Sequence, residues 1–189
     1  MTAAVSLPHG KAGRVAAEQS HQKNRDDMRQ LILMRHAKAA VDSDTGEDID
    51  RPLASRGRSD APVVGKAMAD AGADPQVVLV SAARRTRETW ALIAPFFPEA
   101  EVRFVEQLYL AAADIILREA EEAGAERVMV LAHNPGMHEL AARLSHRMND
   151  MESKVRAKYP TAGCAIFERK DDASSLRLKD FITPKNATD

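Results

Sequence analysis

The stretch Leu31-Ile32-Leu33-Met34-Arg35-His36-Ala37-Lys38 decides how the chain is read. Four apolar residues run directly into an Arg-His pair. A short apolar run of this kind predicts a strand of a parallel sheet, buried on both faces. The polar pair then falls where the strand ends, which is where ligands bind in open α/β sheets. An arginine there offers a planar fork of donors suited to phosphate. A histidine beside it can serve as a nucleophile or as a proton carrier near neutral pH. Taken alone, the pair reads equally well as two exposed polar residues at a strand end, so the rest of the chain has to decide.

The same arrangement recurs downstream. Val77-Val78-Leu79-Val80 predicts a second buried strand ending at Ser81, followed by a helix that opens with Arg84-Arg85-Thr86-Arg87-Glu88-Thr89. Thr89, Trp90, Ile93 and Ala94 supply its apolar side, and Pro95 and Pro98 stop it. Three arginines at a helix start oppose the helix dipole. A bound anion reconciles them, because helix N-termini and guanidinium groups both favour phosphate. The alternative is a solvated basic face, and one of the three arginines, not all, is expected to be functional. Arg127-Val128-Met129-Val130-Leu131-Ala132 predicts another buried strand, and it runs into His133-Asn134-Pro135-Gly136. A second histidine therefore sits at a strand end and a helix start. Pro135 suits the first helical turn, where its missing N–H costs nothing.

Between these landmarks the pattern is that of alternating helices and strands. Ala61, Val64, Met68 and Ala71 fall at helical spacing in a helix with Pro62 in its first turns, a candidate cap at Ser55 or Ser59, and Gly72 at its end. Val102–Val105 predicts a short strand. Asp114 is a candidate cap for a helix carrying Ile115, Ile116, Ala120 and Ala123 and closed near Gly124. The helix after His133 carries Met137, Leu140, Ala141, Leu144 and Met148 on one face. Residues 148–158 read as helix or loop. Ala162–Glu168 and Ser175–Asp180 predict two closing strands joined by a turn near Lys170-Asp171-Asp172. Ala39–Arg51, with Asp42, Asp44, Glu47, Asp48 and Asp50, reads as a solvated acidic loop without the ligand spacing of a calcium site. The expected fold is a three-layer α/β/α sandwich with a mostly parallel central sheet.

Composition narrows the function classes. The chain has 189 residues, 44% hydrophobic and 29% charged, which fits one ordinary globular domain with a sizeable core. Its formal charge of -1 argues against a dedicated nucleic-acid or membrane binder, so any anion site must be a local concentration of Arg and His. The single cysteine, Cys164, permits no disulfide within the chain, which fits a cytoplasmic protein. Cys164 is expected to be a buried structural thiol. Residues 1–29 lack a sustained apolar period and are expected to form a flexible tail, with Met28 a candidate translation start. Residues 30–184 are expected to form the domain and 185–189 a C-terminal tail.

If the strands are neighbours, Arg35, His36, the Arg84-Arg85 pair and His133 converge on one pocket. The chemistry this suggests is phosphoryl transfer, with arginines on the phosphoryl oxygens, one histidine attacking phosphorus and the other donating a hydrogen bond as charge builds. Zinc is the rival use of two histidines, but a third ligand at convincing spacing is missing and arginines oppose a cation. No metal or cofactor is expected. His9, His21, His138 and His146 read as surface or tail residues.

Leu33-Met34-Arg35-His36-Ala37-Lys38 resembles the Arg-His signature of the histidine phosphatase superfamily, the phosphoglycerate mutase-like family. The usual third residue is Gly. Ala37 in its place is similar to the SixA-type phosphohistidine phosphatase branch. Asp50-Arg51-Pro52-Leu53 with Gly57, Ser81-x-x-x-Arg85-x-x-Glu88-Thr89, Ala132-His133-Asn134-Pro135 and Tyr159-Pro160-Thr161-Ala162 resemble that branch too, so the likeness spans roughly Gln30 to Pro184. The resemblance implies a phosphoglycerate mutase-like fold. It implies His36 as the phosphorylated nucleophile, Arg35 and Arg85 as phosphoryl-binding residues and His133 as the residue completing the pocket. It selects Arg85 over Arg84. Glu88 stands where Gln is common, and Glu106, three before Tyr109, resembles the acid position of mutase-like members. The implied substrate is a phosphorylated protein, such as a histidine phosphotransfer domain, or a small phosphorylated metabolite. A non-catalytic phosphate-binding module is the alternative from another class, though binding alone needs no nucleophile.

Overall fold

Leu31 and Leu33 face one side of a sheet and Ile32 and Met34 the other, all fully buried, as period-two alternation in a strand covered on both faces requires. The computed structural model describes residues 27–145, 149–170 and 175–187. Residues 1–26 of the expected N-terminal tail, with His9 and His21, lie outside the described residues. So do His146, Met148, the turn at Asp171-Asp172 and the last two residues.

The strands are β1 (Gln30–Arg35), β2 (Val77–Ser81), β3 (Glu101–Val105), β4 (Arg127–Ala132), β5 (Cys164–Glu168) and β6 (Arg177–Ile182). They form one sheet in the order β3-β2-β4-β1-β5-β6. β1 pairs in parallel with β4, β4 with β2 and β2 with β3, while β5 is antiparallel to both β1 and β6. Only β5 thus runs against the other strands. The helices are α1 (Ser55–Asp70), α2 (Arg84–Ile93), α3 (Ala113–Glu122), α4 (Gly136–Leu144) and α5 (Asp150–Ala157). Helices α1 and α2 bury Val64, Met68, Trp90 and Ile93 against one sheet face. Helices α3, α4 and α5 bury Ile116, Leu140 and Val155 against the other. The result is the three-layer α/β/α sandwich with a mostly parallel sheet.

Three helix starts differ from expectation. Helix α1 begins at Ser55 after Ala54, and no side chain caps it; the Ser59 hydroxyl, a turn further on, donates to the Arg56 carbonyl instead. Helix α3 begins after Ala112, which places Asp114 inside the first turn, where its carboxylate pairs with Arg143 at 2.6 Å. Likewise Pro135 is the residue before α4 rather than within its first turn.

Three features aim the strand ends. The register pairs Arg35 with Ala132, so the next residues, His36 and His133, emerge side by side from adjacent parallel strands. Tyr159, 2% exposed, donates its hydroxyl to the Leu33 carbonyl at 2.5 Å and accepts from the Ala165 amide at 3.0 Å, locking the loop before β5 against β1. Gly57 packs against the Lys38 backbone so closely that a Cβ there would lie 2.2 Å from the Lys38 oxygen. Only glycine allows α1 to start this near the strand end.

Candidate active site

Beyond the carboxyl ends of β1, β2 and β4 lies a cavity of about 330 Å³ lined by Arg35, His36, Arg85 and His133, together with Asp48, Arg51 and Asn134. Lys38, Ala39, Leu110 and Thr161 complete its wall. The Arg-His pair after β1 is therefore not a pair of exposed residues: His36 is 8% exposed and its ring lies 5.1 Å from that of His133.

The protonation of both rings follows from their partners. His36 Nδ1 lies 2.7 Å from the Ala37 carbonyl oxygen. A carbonyl only accepts, so Nδ1 carries the proton and Nε2 keeps its lone pair. Burial lowers the pKa of His36 to about 4, with the nearby Arg85, Arg35 and Arg51 charges acting in the same direction. The ring is neutral at pH 7, as a nucleophile must be. His133 Nε2 lies 2.8 Å from the Ser81 hydroxyl. If that hydroxyl donates, the ring proton is on Nδ1, a buried atom with no hydrogen-bond partner. Burial lowers the pKa of His133 to about 3, helped by His36 and Arg85.

These shifts carry a stability consequence. Both folded-state values lie below the ordinary histidine value, so between about pH 6.5 and pH 4 the unfolded chain binds more protons than the folded one. Stability from the two neutral rings is complete above about pH 6.5 and is lost as pH falls toward 4. Urea denaturation at pH 7 and pH 5 is expected to show the fall. NMR titration of the His36 ring is expected to give a midpoint near 4; a midpoint near 6.5 would contradict the burial argument.

The arginines differ sharply in setting. The Arg85 side chain is 4% exposed, and Nη1 and Nη2 donate to the Asp48 backbone carbonyl at 2.6 Å and carboxylate at 2.9 Å. Arg84 points outward to Glu88 and Asp44, and Arg87 lies 4.9 Å from the Phe104 ring centre. Only Arg85 of the three lines the cavity. Arg35 Nη1 donates to the Tyr159 carbonyl at 2.9 Å, and its Nε is buried without a partner. Asn134 Nδ2 donates to the same carbonyl, leaving its buried Oδ1 unpartnered.

The neighbours of these groups hold the frame. Thr89 accepts from the Ala37 amide at 3.1 Å and donates to the Arg85 carbonyl at 2.6 Å, tying the strand end to α2. Glu88 accepts from the Leu53 amide at 2.7 Å and from Arg84, holding the segment that bears Arg51. The carboxylate at position 88 thus keeps a backbone contact that the oxygen of a glutamine could also make.

Two residues change reading, and one stands apart. Asp48, expected in a solvated acidic loop, turns inward: its carboxylate accepts from Tyr109, Arg51 and Arg85 at 2.7, 2.7 and 2.9 Å. Those bonds, Tyr109 first, hold it well below the usual carboxylate range. Arg51 reaches the cavity wall through the same carboxylate. Glu106 is exposed on a one-turn 3-10 helix after β3 and does not line the cavity. His138 is half-buried on α4, with its ring near the Arg156 carbonyl. Cys164 is buried in β5, where burial raises its thiol pKa, so it is inert. Among the described residues, no three His, Cys, Asp or Glu side chains converge to hold a metal, and no helix is long and apolar enough to cross a membrane.

Two neutral histidines and three guanidinium groups lining one cavity beyond a mostly parallel sheet are an arrangement of α/β proteins that can hold a phosphoryl group. The comparisons make the class specific. Residues 31–168 match the histidine phosphatase superfamily, branch 1, and the chain belongs to that superfamily. An uncharacterised chloroplastic protein of Arabidopsis thaliana is 35% identical over 129 residues, 62% of this chain and 59% of that protein, so the match spans under two thirds of that relative. An uncharacterised protein of Mycobacterium leprae is 33% identical over 141 residues, 71% of this chain and 86% of its own length. A candidate phosphohistidine phosphatase SixA from Agrobacterium tumefaciens shares the fold with a TM-score of 0.71 at 28% identity, over 83% of this chain and 99% of that one. The fold is phosphoglycerate mutase-like and of SixA type.

Proposed function

We propose that this chain removes phosphate from phosphohistidine on a protein, such as a histidine phosphotransfer domain, through a phosphohistidine intermediate on His36. One observation carries the reading. Among the described residues, four buried side-chain polar atoms lack a hydrogen-bond partner, and three of them, Arg35 Nε, His133 Nδ1 and Asn134 Oδ1, belong to this one cavity. Leaving such an atom unpaired costs roughly 1–3 kcal/mol. With the Ser81 hydroxyl donating to His133 Nε2, Arg35 Nε and His133 Nδ1 are two donors left waiting beside a free imidazole nitrogen, and they fit an incoming phosphoryl group.

The chemistry follows from the geometry. The Nε2 lone pair of His36 attacks phosphorus while the bond from phosphorus to the substrate imidazole breaks. Arg35, Arg85 and the Nδ1–H of His133 hold the phosphoryl oxygens as charge builds on them. The departing imidazole nitrogen takes the bonding pair and then a proton from water. A second water attacks phospho-His36, releasing phosphate and restoring the lone pair. An imidazole leaves with less help from an acid than an alkoxide does, so the reaction does not draw on Glu106. The same groups need no metal.

The test compares a histidine phosphotransfer domain, phosphorylated with phosphoramidate, against p-nitrophenyl phosphate. The protein substrate is expected to be preferred by about 100-fold or more in kcat/KM, with EDTA leaving the rate unchanged. Efficient cleavage of the monoester with no action on phosphohistidine would replace this reading with that of a small-molecule phosphatase.

A further inference from the structure

Next to the catalytic cavity lies a second and larger cleft, of about 590 Å³. Thr161 lines both, so the two are neighbours. Arg56, Lys154, Lys158 and Lys185 line the cleft, and among the described residues no acidic side chain does. Its apolar surface comes from Ala157, Pro160 and Pro184, and Phe181 lines it while almost fully buried.

This local excess is not a property of the whole surface. The chain carries 27 basic and 28 acidic residues. Several cations elsewhere have acids beside them: Lys66 pairs with Asp70, Lys179 with Glu168, Arg103 with Glu101 and Arg127 with Asp74. Lys154, Lys158 and Lys185 make no ion pair with any described residue. Arg56 has one partner, Asp60 at 3.3 Å, and keeps 78% of its side chain exposed.

We propose that this cleft docks an acidic face of the phosphorylated protein whose phosphohistidine enters the catalytic cavity. The inference rests on the phosphohistidine reading above and adds how the substrate is chosen. Charge and apolar surface together select the occupant. A free polyphosphate would meet the cations but leave Ala157, Pro160 and Pro184 uncovered. A protein face, with carboxylates around apolar side chains, satisfies both. The cations also come from three separate elements, the start of α1, the end of α5 and the turn after β6, which suits charges spread over a surface. The segment Tyr159–Thr161 runs between them: the Tyr159 carbonyl accepts from Arg35 and Asn134 on the catalytic side, Pro160 lines the cleft and Thr161 lines both. A partner seated in the cleft therefore lies beside the mouth of the cavity.

Rim charges of this kind act on encounter and on KM more than on the chemical step. The probes are an acidic histidine phosphotransfer domain phosphorylated with phosphoramidate and free phosphohistidine. The triple variant K154E/K158E/K185E is expected to lose about 10- to 100-fold in kcat/KM on the protein at low salt, through KM, while kcat at saturation stays the same. Its kcat/KM on free phosphohistidine is expected to match the wild type, which also reports intact folding. Added salt should weaken the wild type's action on the protein and leave the variant's nearly unchanged. The alanine triple variant should fall between the two.

Equal kcat/KM of variant and wild type on the protein, or an equal loss on both substrates, overturns the docking proposal. So does a wild type that cleaves free phosphohistidine as well as it cleaves the acidic protein; the phosphohistidine reading survives that result. A wild type inert toward both probes overturns the phosphohistidine reading and the docking proposal with it.

Discussion

Replacing His36 with alanine is expected to lower turnover of phosphohistidine by about 10⁴-fold or more, the scale on which removal of a nucleophile acts. It is also expected to abolish acid-labile phosphate on the protein. The expectation rests on one atom. The Ala37 carbonyl, 2.7 Å away, fixes the ring proton on Nδ1, and burial keeps the ring neutral, so Nε2 presents a lone pair to the cavity. The rest of the frame does not depend on the ring. The His36 amide donates to the Ala132 carbonyl and the His36 carbonyl accepts from the Ala162 amide, and alanine keeps both bonds. The variant should therefore fold, which its circular dichroism spectrum would check. The decisive measurement is an alkaline quench after incubation with a labelled phosphohistidine protein. Label on the wild type and none on His36→Ala is the expected result. Turnover that survived in the variant would remove the proposed mechanism, and binding without turnover in either protein would point to a phosphate reader.

Much of this site is legible in the amino-acid sequence, and the reason is local. Strands buried on both faces must be apolar at every position, so Leu31–Met34, Val77–Val80 and Val128–Ala132 stand out as runs. The residues at their ends are then marked by position alone. What the runs do not carry is strand order. β4 enters the sheet between β2 and β1, and that placement sets His133 beside both His36 and Ser81. The edge strand β3, mostly exposed, has a weaker signal, and its first paired residue, Glu101, lies outside the predicted span.

Asp48 is illegible for a related reason. Nothing near it in sequence distinguishes it from Asp42, Asp44 or Asp50. Its inward turn is imposed from a distance, by Arg85 at 37 residues and Tyr109 at 61. The helix caps fail differently. A serine or aspartate near a helix start is a common cap, but Ala54 and Ala112 occupy those positions, and Ser59 and Asp114 further along find other partners. Thr89 and Tyr159 lie between the two cases. Each belongs to a motif visible in the sequence, yet the bond that gives it purpose, to the Ala37 amide or the Leu33 carbonyl, spans 52 or 126 residues.

The inward turn of Asp48 leads to a second large effect. Arg85→Ala is expected to reduce kcat/KM on phosphohistidine by about 10³-fold, at the upper end for loss of one preorganised donor group. The loss should be large because two things happen at once. The phosphoryl group loses a nearly buried guanidinium, and Asp48 loses one of the two cations that offset it. Tyr109 and Arg51 still hold the Asp48 carboxylate in the cavity wall, so a negative charge now faces the incoming phosphoryl group with less compensation. Adding Asp48→Asn to Arg85→Ala is therefore expected to recover about tenfold, a coupling within the range for groups in direct contact. Asparagine keeps a side-chain oxygen to accept from Tyr109 or Arg51, so the loop should hold its place. Steady-state kinetics and inhibition by inorganic phosphate would read the result, with both the rate and the phosphate affinity rising in the double variant. A double variant less active than Arg85→Ala alone would mean that the Asp48 carboxylate itself contributes to turnover, and that its contact with Arg85 is not its only role in the cavity.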